Sequence, residues 1–410
     1  MAATPKTLNP PLSHTLLAYG FRPFFLLLSG YIVLTALLWG VHWGGFITLS
    51  FTGNIIEWHI YEMLFGLAGA GIAGFLLTAL PEFFERTTPI TDSPLMWAII
   101  LWAVGRLSFW MIDLLGPLIV SIVNLSFWLW LLFQVIKPVL SDPQKRHSAL
   151  AFSIMLLTTI QVVFFISKIG SLRLLTGVTA DSIAVLKLAV GAFMILILSV
   201  LQRVNTGVIN SLLEQHEINE LFISRPPRYY LAIFTLLLFT TAEFLIPENH
   251  ILAWLAFAVS AAILNILNDF FIKDVRLFTI PLVWPLASIL LLMAFGYGFM
   301  AVNYLDDSFY GINHFRHILT TGALGLAYIM IMTIVSTVHT GRILQASKWL
   351  NVTVIFIIIA SVLRSSIAFL PHYAPLLYAS SSFLWAGAFV VYLVRFYSIL
   401  MNPRVDGLPG

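Results

Sequence analysis

Glu57-Trp58-His59-Ile60-Tyr61-Glu62-Met63-Leu64-Phe65-Gly66, continuing through Gly69-Ala70-Gly71-Ile72-Ala73-Gly74 to Pro81, decides how the rest of the chain is read. A histidine, a tyrosine and two carboxylates stand at the mouth of an apolar, glycine-rich segment long enough to cross a bilayer. Ionisable groups at membrane depth are costly, so their presence there points to function. Beyond them Gly66, Ala70 and Gly74, with Gly69 and Ala73 beside them, form a face of small residues. Such a face lets another helix, or a flat group, approach closely.

Working outward, the whole chain has the same character. Of 410 residues, 60% are hydrophobic, 14% aromatic and only 10% charged, whereas soluble chains carry about 25% charge. This composition predicts one integral membrane domain over residues 1–410, an all-α polytopic helix bundle with the lipid bilayer as its partner. The polar stretch Met1–Ser13 lacks a cleavable-signal pattern, so residues 1–15 are expected to be a short cytoplasmic tail before a retained first span. Cysteine is absent, which excludes disulfides, thiolate metal sites and Fe–S clusters and leaves His, Met, Tyr or carboxylate as metal ligands.

Apolar runs of spanning length are read at roughly 16–40, 57–80, 95–112, 117–137, 148–168, 183–203, 229–247, 250–272, 277–300, 314–339, 350–370 and 375–400. The breaks at about 113–116 and 248–249 are the shortest. With the N-terminus inside, thirteen basic residues from Lys6 and Arg86 to Arg342, Lys348 and Arg404 fall on the cytoplasmic side. Three, Lys168, Arg173 and Arg316, fall outside. That asymmetry supports about twelve transmembrane helices with both termini cytoplasmic. It also accounts for the net charge of +3 without nucleic acid. The largest loop, about 204–228, is expected to be cytoplasmic and to hold a short interfacial helix through Ile209, Leu212, Leu213, His216 and Glu220. No internal repeat is evident.

Topology assigns each polar group a depth. His59, Tyr61 and Glu62 open the second span near its outer end, and His314 and His317 open the tenth at a similar level. Arg106, Arg364 and Lys187 fall in the outer half of their spans. The set is rich in His and Arg and poor in acids, which suits a buried anion or a metal complex carrying carboxylates. Haem meets both descriptions, with iron for axial histidines and propionates for cations. A second set at the inner face comprises Arg22, Arg203 and His339. His317 and His339 share a helical stripe with Thr321, Tyr328, Met332 and Ser336 but stand roughly 33 Å apart along the axis. They cannot hold one metal.

Each residue has a plainer reading. Glu57 belongs to a helix N-terminus with Asn54 as cap. Glu62 either orients His59 or carries protons, or pairs with Arg106 or Arg364. Tyr61 is expected in the aromatic belt. His339 is also stabilised at a helix C-terminus, and Arg22 can snorkel to the surface. His14, His42, His147, His216, His250 and His372 are placed in loops or at interfaces.

At this point the sequence resembles the NnrS family of bacterial haem- and copper-containing membrane proteins, associated with nitric-oxide metabolism and defence. The resemblance rests on Phe21-Arg22-Pro23-Phe24-Phe25, Trp58 to Gly66 with Ala73 to Ala79, Gly105-Arg106, His317 to Ala323, and His339-Thr340-Gly341-Arg342. It implies haem, with copper beside it, and carries metal ligation onto His59, His317 and His339. Arg106 and Arg364 would pair with propionates, Arg22 would add a cation at the other face, and Gly66 and Gly74 would seat the porphyrin. If the protein turns its ligand over, Glu62 and Tyr328 are the candidate catalytic groups and an electron donor is required. The implied setting is the bacterial inner membrane, multi-pass, with nitric oxide or a related small ligand. Two departures stand out. Tyr61 replaces a second histidine, and Leu201-Gln202-Arg203-Val204-Asn205 keeps only the arginine of a Gly-Gly-Arg-Pro pattern. The rival readings are a secondary transporter for a small anion and a non-catalytic haem-handling accessory protein.

Overall fold

The computed structural model describes residues 15–49, 54–84, 87–143, 147–170, 181–306, 309–345 and 347–408. They form twelve helices long and apolar enough to cross a membrane. In chain order these spans are Phe21–Trp43, Ile55–Phe83, Asp92–Trp110, Ile112–Ser141, Ser148–Ile169, Ser182–Gln215, Pro226–Leu245, Ile251–Phe270, Val283–Asn303, Ile312–Val338, Lys348–Ser366 and Pro371–Met401. No strand occurs among the described residues. Helix is what a bilayer demands, because each backbone N–H and C=O must be satisfied within its own segment.

The second and tenth spans are the most enclosed, with 89% and 78% of their most apolar windows buried, so they are the centre of the bundle. The first and twelfth spans pack against each other, and the remaining neighbours follow largely in chain order. On the outside, Leu107, Leu114, Phe133 and Val394 stay exposed, as side chains facing hydrocarbon do.

Both central spans are interrupted. The second is α-helical over Ile55–Tyr61, π-helical over Glu62–Gly66 and α-helical again over Leu67–Phe83. The tenth repeats the pattern as Ile312–His317, Ile318–Leu324 and Gly325–Val338. A π segment inserts a wider turn and re-aims the side chains around it, and such segments concentrate at functional sites.

The short breaks fall where expected. Gly116, at φ 76°, interrupts Ile112–Ser141 just before Pro117, and residues 246–250 separate the seventh span from the eighth. The stretch after the sixth span differs from expectation. One helix runs from Ser182 to Gln215, so Ile209, Leu212 and Leu213 extend the span rather than form a separate interfacial helix. No Pro intervenes near 204 to stop it, the helix runs on through Gly207, and the returning chain is clamped to it. Asn210 accepts from Phe222 N at 2.7 Å and donates to Phe222 O at 3.0 Å. The tail to residue 14 lies outside the described residues.

The two ends of the described chain meet at one end of the bundle. Arg404 reaches the carbonyl of His339 at 3.2 Å, and Val405 N donates to Thr340 O at 3.3 Å. His59 and His317 lie at the opposite end of their spans.

Candidate functional site: a histidine-lined cavity

Asn54 begins the second span as a side-chain cap, its Oδ1 accepting from the N–H groups of Ile56 and Glu57 at 3.1 Å each. Glu57 then ties this end to two other spans, through Lys168 Nζ at 2.7 Å and the Ser182 hydroxyl at 2.5 Å. His59 is thereby held one turn in. Its ring lies flat on Trp39, with centroids 3.9 Å apart and planes within 6°. Among the described residues its Nδ1 is buried without a hydrogen-bond partner. The His317 ring is 6.4 Å away and nearly parallel, at 10°. His317 Nδ1 lies 2.8 Å from the carbonyl of Asn313, one turn earlier, which leaves Nε2 free to act.

Both histidines line a cavity of about 610 Å³, within the size range of ligand and cofactor sites. Trp39, Trp43, Tyr310, Tyr378 and Trp385 supply aromatic wall, and Thr320, Thr321, Ser381 and Ser382 supply hydroxyls. Three cations reach it, Lys187, Arg316 and Arg364, and no described lining residue is acidic. Arg316 is neutralised from behind by Glu243, with Nη2–Oε1 at 2.6 Å and Nη1–Oε2 at 3.1 Å. Arg364 instead donates to His314 Nδ1 at 2.8 Å and lies over the Tyr378 ring at 4.5 Å. Among the described residues no carboxylate lies within ion-pair distance of Arg364 or Lys187, so the cavity carries uncompensated positive charge.

The structure therefore brings His59, His314, His317, Lys187, Arg364 and Tyr328 together. It places the other expected residues elsewhere. Arg106 pairs with Glu62 in the core, Nη1–Oε2 at 2.8 Å, and also bonds Asn124. The Tyr31 hydroxyl donates to the same Glu62 oxygen at 2.7 Å. The pairing of Glu62 with Arg106 is thus realised, which removes Arg106 from any ligand in the cavity. Tyr61 is not in an aromatic belt. It is fully buried, stacked on Phe109 at 3.8 Å, and bonded to Asn124 and Gln161.

Arg22 is also fully buried, and donates to the carbonyls of Leu400 and Asn402 at 2.7 and 2.8 Å, closing the C-terminus of the last span. His339 sits at that same end of the bundle, 3.4 Å from Glu82, remote from the other two histidines. The glycine face is filled by protein. A Cβ at Gly74 would stand 2.6 Å from the Phe25 ring, and one at Gly66 would stand 2.2 Å from Glu62 Oε2. His147 is buried as well, stacked on Phe83 at 4.3 Å and close to Arg203.

Sequence reasoning missed the Arg316–Glu243 pair and the Tyr304 hydroxyl that also bonds Glu243. Arg316, expected among the outside charges, is only 8% exposed. The signal was available, since Glu243 is the one carboxylate in the apolar run 229–247.

Twelve spans, with a cavity lined by histidines and cations between the first, second, sixth and last three, define a polytopic membrane protein. The chain belongs to the NnrS family, whose model, described as NnrS protein, matches residues 15–404. No curated protein matches the chain.

Proposed function

We propose that the protein is a haem-binding protein of the bacterial inner membrane, acting in nitric-oxide metabolism or defence, with its haem in the His59–His317 cavity. The observation that carries this reading is the pair of imidazoles, 6.4 Å between centroids, facing a space with uncompensated cations and no acid. Among the described residues no three His, Asp or Glu side chains gather as a metal site. That favours haem over a free copper ion, because the porphyrin itself supplies four of the six ligands of iron.

His59 or His317 would hold the iron, leaving a position open toward the other imidazole, and Arg364 and Lys187 would meet the propionates in place of Arg106. Trp39 fixes the plane of His59, and Asn313 fixes the tautomer of His317. The bound haem would supply an iron that takes a diatomic ligand and exchanges an electron. Tyr328, on the cavity wall, is the hydroxyl best placed to donate to such a ligand, whereas Glu62 serves as a structural anion. The positive-inside rule supports a cytoplasmic placement for the end where the described chain begins and finishes, with the cavity toward the outer side.

The test is the absorption spectrum of the purified protein with haem analysis, before and after adding nitric oxide. A Soret band that responds to nitric oxide supports the reading, and folded protein without one ends it. The unpaired cations also favour a second reading, uptake of a small anion. Solute-driven uptake by haem-free protein in liposomes would establish it.

A further inference from the structure

A second, smaller cavity of about 80 Å³ lies between the first, second, fifth, sixth and tenth spans. Its wall is apolar, built from side chains such as Phe25, Ile72, Phe193, Ile197, Ala327 and Ile331. It meets the histidine cavity at Leu324 and Tyr328, which line both spaces. Tyr328 is the partition. Its hydroxyl is buried and has no hydrogen-bond partner among the described residues. Its ring lies where Gly71 lacks a side chain, since a Cβ there would sit 2.9 Å from Cε1. Buried tyrosine hydroxyls ordinarily find a partner, so packing alone holds this ring in place.

The chemistry of the wall selects the occupant. An apolar void gives water nothing to bond and stays dry, while xenon or another small apolar molecule enters it. Ions and hydrated solutes are excluded by the same desolvation cost that keeps charge out of hydrocarbon. The volume admits a molecule of a few atoms. We infer that this side cavity is a binding and passage site for a small uncharged gas, which reaches the histidine cavity past Tyr328 from the apolar interior. The site itself stands on its geometry, and only the destination of the gas rests on the proposed function.

Two readouts on the full chain in nanodiscs separate these parts. Xenon titration followed by 129Xe NMR, or a xenon-pressurised crystal, should locate one site at Ala327 and Ile197. Ala327→Phe and Ile197→Phe fill the space from different spans and should each abolish that site, whereas Tyr328→Phe should keep it. Thermal unfolding identifies a variant that misfolds, and the other then stands in for it. In haem-loaded protein the filling variants should slow carbon monoxide rebinding after photolysis several-fold with the Soret band unmoved. Xenon bound only elsewhere, or an ordered acyl chain in this space, overturns the site. Unchanged rebinding in a filled variant overturns the passage. Protein that binds xenon here but shows no Soret band ends the haem reading alone.

Discussion

Two buried ion pairs anchor the histidine-bearing turns. Glu62 is three residues past His59 and held by Arg106, and Arg316 is next to His317 and held by Glu243. Breaking a buried pair from one side leaves an uncompensated charge and costs about 3–5 kcal/mol, whereas replacing both partners with apolar groups costs far less. Glu62→Leu and Arg106→Leu should therefore each lower the thermal unfolding temperature in detergent sharply, and the double variant should recover most of the loss. Additive losses would contradict the pairing. The candidate histidines, arginines and Glu62 are legible as costly groups in apolar runs, but their partners are not. Arg106 could equally have met a propionate or Glu62, because depth along a span says nothing of which neighbour lies across from it. Arg22 was ambiguous for the same reason. Its partners, the carbonyls of Leu400 and Asn402, lie nearly the whole chain away.

At the scale of the element, the glycines of the second span are explained by close packing. Gly74 accommodates Phe24 and Phe25, and Gly71 accommodates Tyr328 and Leu28. Gly74→Ala should cost about 1–3 kcal/mol by overpacking and leave any Soret band where it is. Gly30→Ala, with open space around it, should be neutral or gain up to about 1 kcal/mol. Thermal melts and spectra of the two variants check this, and a spectral shift in Gly74→Ala would return the glycine face to the cofactor. Twelve spans could be read from hydropathy, because apolar length is a local property. The π segments could not, since a single extra residue in a turn leaves no trace in composition.

The C-terminal strap is a smaller element with its own pH dependence. Arg404 pulls the Asp406 carboxyl down from its ordinary 3.8 to about 2, with Nη2–Oδ2 at 2.6 Å. A depressed carboxylate contributes while ionised, so the strap should hold fully above the ordinary value and loosen as pH falls from 3.8 through about 2. Relative to intrinsic exchange, protection of the Val405 amide should fall over that window in the native protein and stay unchanged across it in Asp406→Asn.

For the whole molecule, the bundle has a polarity. The two ends of its described chain, with Arg22, His339 and Arg404, lie at one end, and the cation-lined cavity is built on the opposite ends of the second and tenth spans. A reporter that fluoresces only in the cytoplasm should be active after residue 408, and a periplasmic phosphatase inserted after residue 47 should be active there. The reverse pattern would turn the cavity toward the cytoplasm. The central claim is that a haem lies between the second and tenth spans, its iron held by His59 or His317. Its most direct test is the absorption spectrum of the purified protein beside His59→Ala, His317→Ala and the exposed control His216→Ala. The account predicts a Soret band that is lost or shifted in the first two variants and unchanged in the third. A folded native protein with no Soret band, or a band indifferent to both histidines, would contradict it.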